Sequence, residues 1–265
     1  MARSASPAVQ RAVLLGASNL KMGLPWLVGG LRQAAGGPVE VLAACGHGRS
    51  YVGWSRLLFG TRSLPGIADC GLWRALAALP PLPTLALLAD VGNDLLYGEP
   101  PEAIAARVGD CLARLAAQRA AVVCLPLPMI RLEKLSPLGY HAARSILYPS
   151  RGEPWAVLLE KARDLDRRVR RLAAEHGARL VEPQASWYGI DPIHVRRRWR
   201  RRAWDSIIAH WPPTPETPQR TVSPIPPPRI RVPAFGAAEL RLCGIPRRNP
   251  QPALRLAEGS TLALY

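Results

Sequence analysis

The sequence predicts an α/β protein: a three-layer α/β/α domain around a parallel sheet over residues 1–211, a proline-rich connector at 212–228 and a small β appendage at 229–265. Strand-like apolar runs alternate with amphipathic helical stretches across short connections, the pattern of βαβ units. The run from Thr84 to Ala89 is apolar at every position after the first, as a strand covered by helices on both faces must be. The chain is also long enough, at 265 residues and 48% hydrophobic content, to bury a sizeable core.

Ala12–Leu15 is the first strand and runs straight into Gly16-Ala-Ser-Asn19. Leu20, Leu24, Leu27, Val28 and Leu31 recur at helical spacing until Gly36-Gly37 stops them, with Pro25 tolerable near the helix start. Val39–Ala43 is the second strand, ending in the glycine-rich loop Cys45-Gly-His-Gly48. An irregular stretch leads to a short helix over Cys70–Leu79, and Pro80-Pro-Leu-Pro83 breaks the chain before the strand Thr84–Ala89. Val91-Gly-Asn-Asp94 follows as a loop, then a helix over Glu102–Gln118 and a fourth strand over Ala121–Leu125. Residues 126–153 carry no clear period. A long charged helix spans Pro154–His176, a fifth strand Arg179–Val181, and a final helix Val195–Trp211.

Eight prolines in the seventeen residues 212–228 exclude helix and central strand and predict a stiff extended connector. Beyond it, Ile230–Val232, Leu240–Leu242, Leu254–Leu256 and Thr261–Tyr265 are short alternating runs, the last two joined by Ala257-Glu-Gly259 as in a hairpin. At this size they are expected to dock on the main domain rather than fold alone.

Composition narrows the function classes. Five cysteines without a C-x-x-C pair, and five histidines without metal-binding spacing, predict neither a disulfide framework nor a structural metal site. No run approaches the length of a membrane-spanning helix, and no signal-peptide core precedes the first strand, so a cytoplasmic location is expected. The formal net charge of +16 is mostly arginine and is uneven: residues 1–150 hold 14 Lys and Arg against 8 Asp and Glu, residues 151–265 hold 21 against 11. No zinc-finger, RNP-type or helix-turn-helix signature accompanies it, which argues against nucleic acid as the partner.

Three unusual loops each follow a strand directly, and ligand sites of parallel sheets form at strand carboxyl ends. With the segment before the last helix they offer Ser18, Gly48, Asn93 and the pair Asp191 and His194. A serine at a strand-to-helix turn exposes its hydroxyl and sets its own N–H at a helix start. A glycine lets a second N–H approach a substrate unobstructed, and an asparagine amide adds a third donor. Asp-x-x-His places a carboxylate within reach of an imidazole, fixing its tautomer while it takes a serine proton. These are the parts of an acyl-transfer site.

In these four blocks, Gly16-Ala-Ser18, Cys45-Gly-His-Gly48, Gly92-Asn-Asp94 and Asp191-Pro-Ile-His194, the sequence resembles the SGNH hydrolases, or GDSL esterases and lipases, over roughly residues 12–211. The resemblance implies a flavodoxin-like fold, Ser18 as nucleophile, His194 as base, Asp191 as its orienter, and an oxyanion hole of Ser18, Gly48 and Asn93. It implies no cofactor, and acyl esters, thioesters, lysophospholipids or O-acetylated sugars as substrates. The glycine is placed at 48, although Gly46 lies in the same loop. Two positions depart from the family: its usual aspartate beside the nucleophile is Ala17, and its usual leucine is Asn19.

Arg196, Arg197 and Arg198 fall in the expected first turn of the last helix, where they oppose the helix dipole, and lie beside His194. They are candidates to receive an anionic part of a substrate, against a solvated helix face as the plainer reading. Trp187, Tyr188 and Tyr51 are candidates to wall the pocket, against core packing. Two other readings of the whole remain: a degenerate member of the fold binding an acidic partner through its arginine-rich helix, or an acyltransferase using the same triad.

Overall fold

The computed structural model describes residues 10–55, 61–136, 153–212 and 230–265. Its central sheet is built from β1 (Gln10–Leu15), β2 (Val39–Ala44), β4 (Thr84–Leu88), β5 (Ala121–Cys124), β6 (Arg179–Leu180), β9 (Leu254–Arg255) and β10 (Thr261–Leu264). Their order is β6-β5-β4-β1-β2-β10-β9, and every neighbouring pair is parallel except β9 with β10. Most of the proline-rich connector lies outside the described residues.

The period-two alternation of the strands assigns each side chain to one of two cores. Val13 and Leu15 of β1, Leu42 of β2 and Leu88 of β4 pack with α2 (Leu72–Ala78), α4 (Pro101–Ala117) and α6 (Trp155–Glu175). Ala12, Leu14, Val41 and Leu87 face the other way, onto α1 (Ser18–Ala35) and α7 (Arg200–Ala209). Right-handed crossovers require this split. The step from β1 to β2 puts α1 on one face, and the steps from β2 across to β4, β5 and β6 put α2, α4 and α6 on the opposite face. The chain therefore changes direction between β1 and β4, and a crevice opens at their carboxyl ends. Two short helices, α3 (Asn93–Leu96) and α5 (Met129–Leu132), follow β4 and β5 at that same end.

Several expectations change, among them that Asn93 and Asp94 open the helix α3 rather than lying in a loop. The final helix starts at Arg200 rather than Val195: residues 197–199 form a turn, with the Trp199 N–H donating to the Arg196 carbonyl at 2.9 Å. Arg196, Arg197 and Arg198 thus precede the helix rather than filling its first turn, which Arg200, Arg201 and Arg202 occupy. The carboxyl-terminal segment holds β structure from Glu239 onward, with no strand at the expected run Ile230–Val232, and it is not merely docked. β10 extends the central sheet beside β2, while β7 (Glu239–Leu242) pairs with β3 (Arg62–Ser63) and β8 (Ile245–Arg248) in a second, antiparallel sheet. An apolar strand such as Thr261–Leu264 gains more by joining an open sheet edge, where its backbone groups are also paired, than by packing outside it.

Candidate active site

Ser18 is the first residue of α1, placed by β1 at the crevice, and is nearly buried at 8% exposure. Its Oγ lies 2.9 Å from Nε2 of His194, and Nδ1 of His194 lies 2.7 Å from Oδ2 of Asp191. The second oxygen of Asp191 accepts the backbone N–H groups of Ile193 and His194 at 3.0 and 3.1 Å, so one carboxylate both shapes the turn and faces the ring. Because Asp191 can only accept, Nδ1 carries the proton and Nε2 is left to accept from the Ser18 hydroxyl. Burial by itself lowers the His194 pKa. The Asp191 hydrogen bond and charge, with the more distant Asp90 charge, outweigh it, and the pKa lies above the ordinary imidazole value.

Gly48 sits in the loop after β2 with φ of 60°, in the left-handed region that a side chain disfavours. Its carbonyl accepts the Tyr97 hydroxyl. The loop is held from both sides. Asp94, fully buried, accepts the Ser50 hydroxyl and, at 2.8 Å, the Tyr51 N–H. Arg49, also fully buried, donates to the Pro65 and Tyr265 carbonyls, which ties the loop to the residue after β10. Asn93, at the start of α3, donates through Nδ2 to the Arg49 carbonyl at 3.2 Å. One amide hydrogen occupied in this way orients the side chain and leaves the other available.

A cavity of about 140 Å³ opens beside Ser18 and Asn93. Its far wall is apolar, built from Leu127, Leu132, Trp155 and Leu158, with Trp187 and Tyr188 on the α7 side. Burial raises the Tyr188 hydroxyl pKa, as an apolar wall requires. Gly48, Tyr51 and the three arginines are not among the lining residues. Tyr51 is a core residue. It is 0% exposed, and its hydroxyl donates to the Ala89 carbonyl at 2.8 Å, bracing the end of β4. Arg196, Arg197 and Arg198 are exposed, with Arg196 laid across Gly189, where a Cβ would come within 2.6 Å of its Nε.

Asp90 and Asn19 join the site without having been singled out for it. Asp90 follows β4 at φ of 59° and accepts the Ala17 N–H at 2.8 Å, the Leu20 N–H at 3.1 Å and the Asn19 amide at 2.9 Å. The one signal for it in the sequence is a carboxylate closing an otherwise apolar strand. Among the described residues no cluster of three or more His, Cys, Asp and Glu side chains is arranged to hold a metal ion, and no helix is long and apolar enough to cross a membrane.

Fold and site together define a three-layer α/β protein that carries a serine–histidine–aspartate chain at the carboxyl edge of its sheet. Neither a family model nor a curated protein sequence matches this chain. Solved structures similar to it include SGNH-hydrolase family esterases. TesA aligns at 18% identity over 75% of this chain and 96% of its own, with a TM-score of 0.48. Est24, a carbohydrate acetylesterase from Sinorhizobium meliloti, aligns at 16% over 73% and 94%, with a TM-score of 0.46. AlinE4, an SGNH-hydrolase family esterase, aligns at 16% over 73% and 90%, with a TM-score of 0.41.

Proposed function

We propose that the protein is a serine esterase that cleaves an acyl ester through an acyl-Ser18 intermediate. The observation that carries this reading is the continuous chain from Ser18 Oγ through His194 to Asp191, at 2.9 and 2.7 Å, opening onto an apolar cavity. As Ser18 Oγ attacks the ester carbonyl carbon, Nε2 of His194 takes its proton, and Asp191 stabilises the resulting imidazolium. The developing oxyanion is received by the N–H of Ser18, the free N–H of the Asn93 amide and the N–H of Gly48. The tetrahedral intermediate collapses by breaking the bond to the leaving oxygen, which leaves as the alcohol with the proton from His194. Water then enters, gives its proton to His194 and releases the acid, restoring Ser18.

The N-terminal amides of α1 support this use of Ser18. A single oxygen of Asp90 takes the N–H groups of Ala17 and Leu20 and leaves that of Ser18 for a substrate. The apolar wall favours an apolar acyl group. A cavity of about 150 Å³ lined by such residues admits a molecule the size of benzene. The test is hydrolysis of p-nitrophenyl and thiocholine esters of increasing acyl length. Turnover by the wild type, with Leu158→Trp shifting the preference towards acetyl, is the expected result. A folded protein that turns over none of them between about pH 6 and 9 contradicts it. Addition of a competing alcohol separates hydrolysis from transfer to that acceptor.

A further inference from the structure

The segment that carries His194 has no regular structure. Residues 188–199 hold neither helix nor strand, β6 has already ended at Leu180 and α7 begins only at Arg200. A catalytic imidazole on such a segment needs something to hold it. Asn19, one residue beyond Ser18, does so from the first turn of α1: its Nδ2 donates to the Ile193 carbonyl at 2.8 Å, and its Oδ1 accepts the Val195 N–H at 2.9 Å. The two backbone groups that flank His194 are therefore gripped by one side chain. That side chain is aimed in turn by Asp90, which accepts its other amide hydrogen at 2.9 Å. With the amides of Ala17 and Leu20 on its second oxygen, the Asp90 carboxylate locks the nucleophile turn and the histidine segment to the end of β4. Its backbone supports the same reading. A left-handed φ of 59° is uncommon outside glycine and persists where surrounding contacts over-determine it.

We propose that Asn19 and Asp90 are positioning residues, a clamp that sets His194 against Ser18; Asn19 is itself one of the two departures from the family pattern, and Asp90 binds the backbone of the other, Ala17. The carboxylate absent at position 17 arrives instead from position 90, and the residue at 19 is polar because it must reach both sides of His194. The catalytic part of this inference rests on the esterase reading; the structural part does not.

The experiment uses the full chain as wild type, Asn19→Leu and Asp90→Asn. Two readouts are taken: the tautomer and titration of His194 by NMR of ¹⁵N-labelled histidine, and the pH profile of kcat and KM on p-nitrophenyl butyrate. The charged or titratable groups acting on His194 are Asp191 on its own segment, Asp90 after β4, Arg200 at the start of α7 and His47 in the loop after β2. Asn19→Leu is expected to lower kcat by about 10²-fold with KM nearly unchanged, as for a reacting group displaced by about an ångström, and to mix the His194 tautomers. Asp90→Asn is expected to move the His194 titration, and with it the acid limb of kcat/KM, to lower pH. Folded variants in which His194 keeps the wild-type tautomer and titration, with kcat within about twofold, overturn the proposal. If one variant fails to fold, the other decides. A wild type that hydrolyses no ester overturns the esterase reading alone, because the NMR titration still judges the clamp.

Discussion

Asp191→Asn separates the two duties of that carboxylate. Oδ1 accepts the N–H groups of Ile193 and His194, and an asparagine oxygen can keep both bonds, so the turn survives. What changes is the group 2.7 Å from Nδ1 of His194. An amide NH₂ there must donate, which pushes the ring proton to Nε2 and points a donor at the Ser18 hydroxyl, so the base is lost. In a fully buried serine–histidine–aspartate system this costs about 10⁴ in kcat. Asp191 is 46% exposed on its side chain, so water competes for Nδ1 and screens the imidazolium it supports. The expected loss is smaller, about 10²-fold in kcat at pH 8, equivalent to about 2.7 kcal/mol of transition-state stabilisation. The pH profile shifts in a definite direction. Activity requires neutral His194 and rises as pH passes its pKa, which Asp191 helps to hold above the ordinary value. Without that carboxylate the lowering effect of burial is less opposed, and the acid limb moves to lower pH. The deficit of the variant is thus smaller at pH 5.5 than at pH 8. Steady-state kinetics on a p-nitrophenyl ester measure both. A variant within about twofold of wild type with an unmoved acid limb would refute the reasoning.

Gly23→Ala tests how α1 seats against α7: a Cβ at 23 would lie 1.9 Å from Nε1 and 2.0 Å from Cε2 of the buried Trp204. The overpacking cost of about 1–3 kcal/mol outweighs a helix-propensity gain of about 1, so Tm should fall by a few degrees; a rise would contradict this packing. The thiols give a second check. Burial pushes Cys124 up to about 12 and raises Cys45, Cys70 and Cys111, whereas Cys243 is exposed. Native iodoacetamide treatment should modify Cys243 alone, as read by peptide mass mapping, and rapid modification of any other cysteine would contradict the fold around it. Gly48→Ala must adopt a left-handed φ at a cost of about 1–2 kcal/mol, and is expected to reduce kcat more than it raises KM. The reverse pattern would remove Gly48 from the oxyanion role.

The sequence was most legible where one physical rule acted alone. β1, β2, β4 and β5 are buried on both faces, so their apolar runs end within two residues of the structural strands. Ser18, Asp191 and His194 could be proposed because each sits where a strand ends or a helix was expected, and those turns confine the possible geometry. The edge pieces were not legible. β8 reads Ile-Pro-Arg-Arg and is exposed throughout, so it carries no period to detect. Val195 and Trp199 continue the apolar spacing of Ala203 and Ile207 and so extend the expected α7 five residues beyond its real start, although the backbone before Arg200 is turned by bonds back to Trp187 and Arg196. Asp90 escaped because its partners Ala17, Asn19 and Leu20 lie about seventy positions away in the chain, and no local rule pairs them. Adjacency to the glycine loop suggests a pocket wall for Tyr51, whereas the fold turns its ring into the core beneath β4.

The central claim is that Ser18 is an activated nucleophile. It is tested most directly by labelling the purified chain with a fluorophosphonate probe, alongside Ser18→Ala and His194→Ala, and mapping the modified peptide by mass spectrometry. The account predicts a single adduct on Ser18 in the wild type, absent from Ser18→Ala and reduced at least about 10²-fold in rate in His194→Ala. A folded wild type that takes no label, or an adduct that persists at the wild-type rate in His194→Ala, would contradict it.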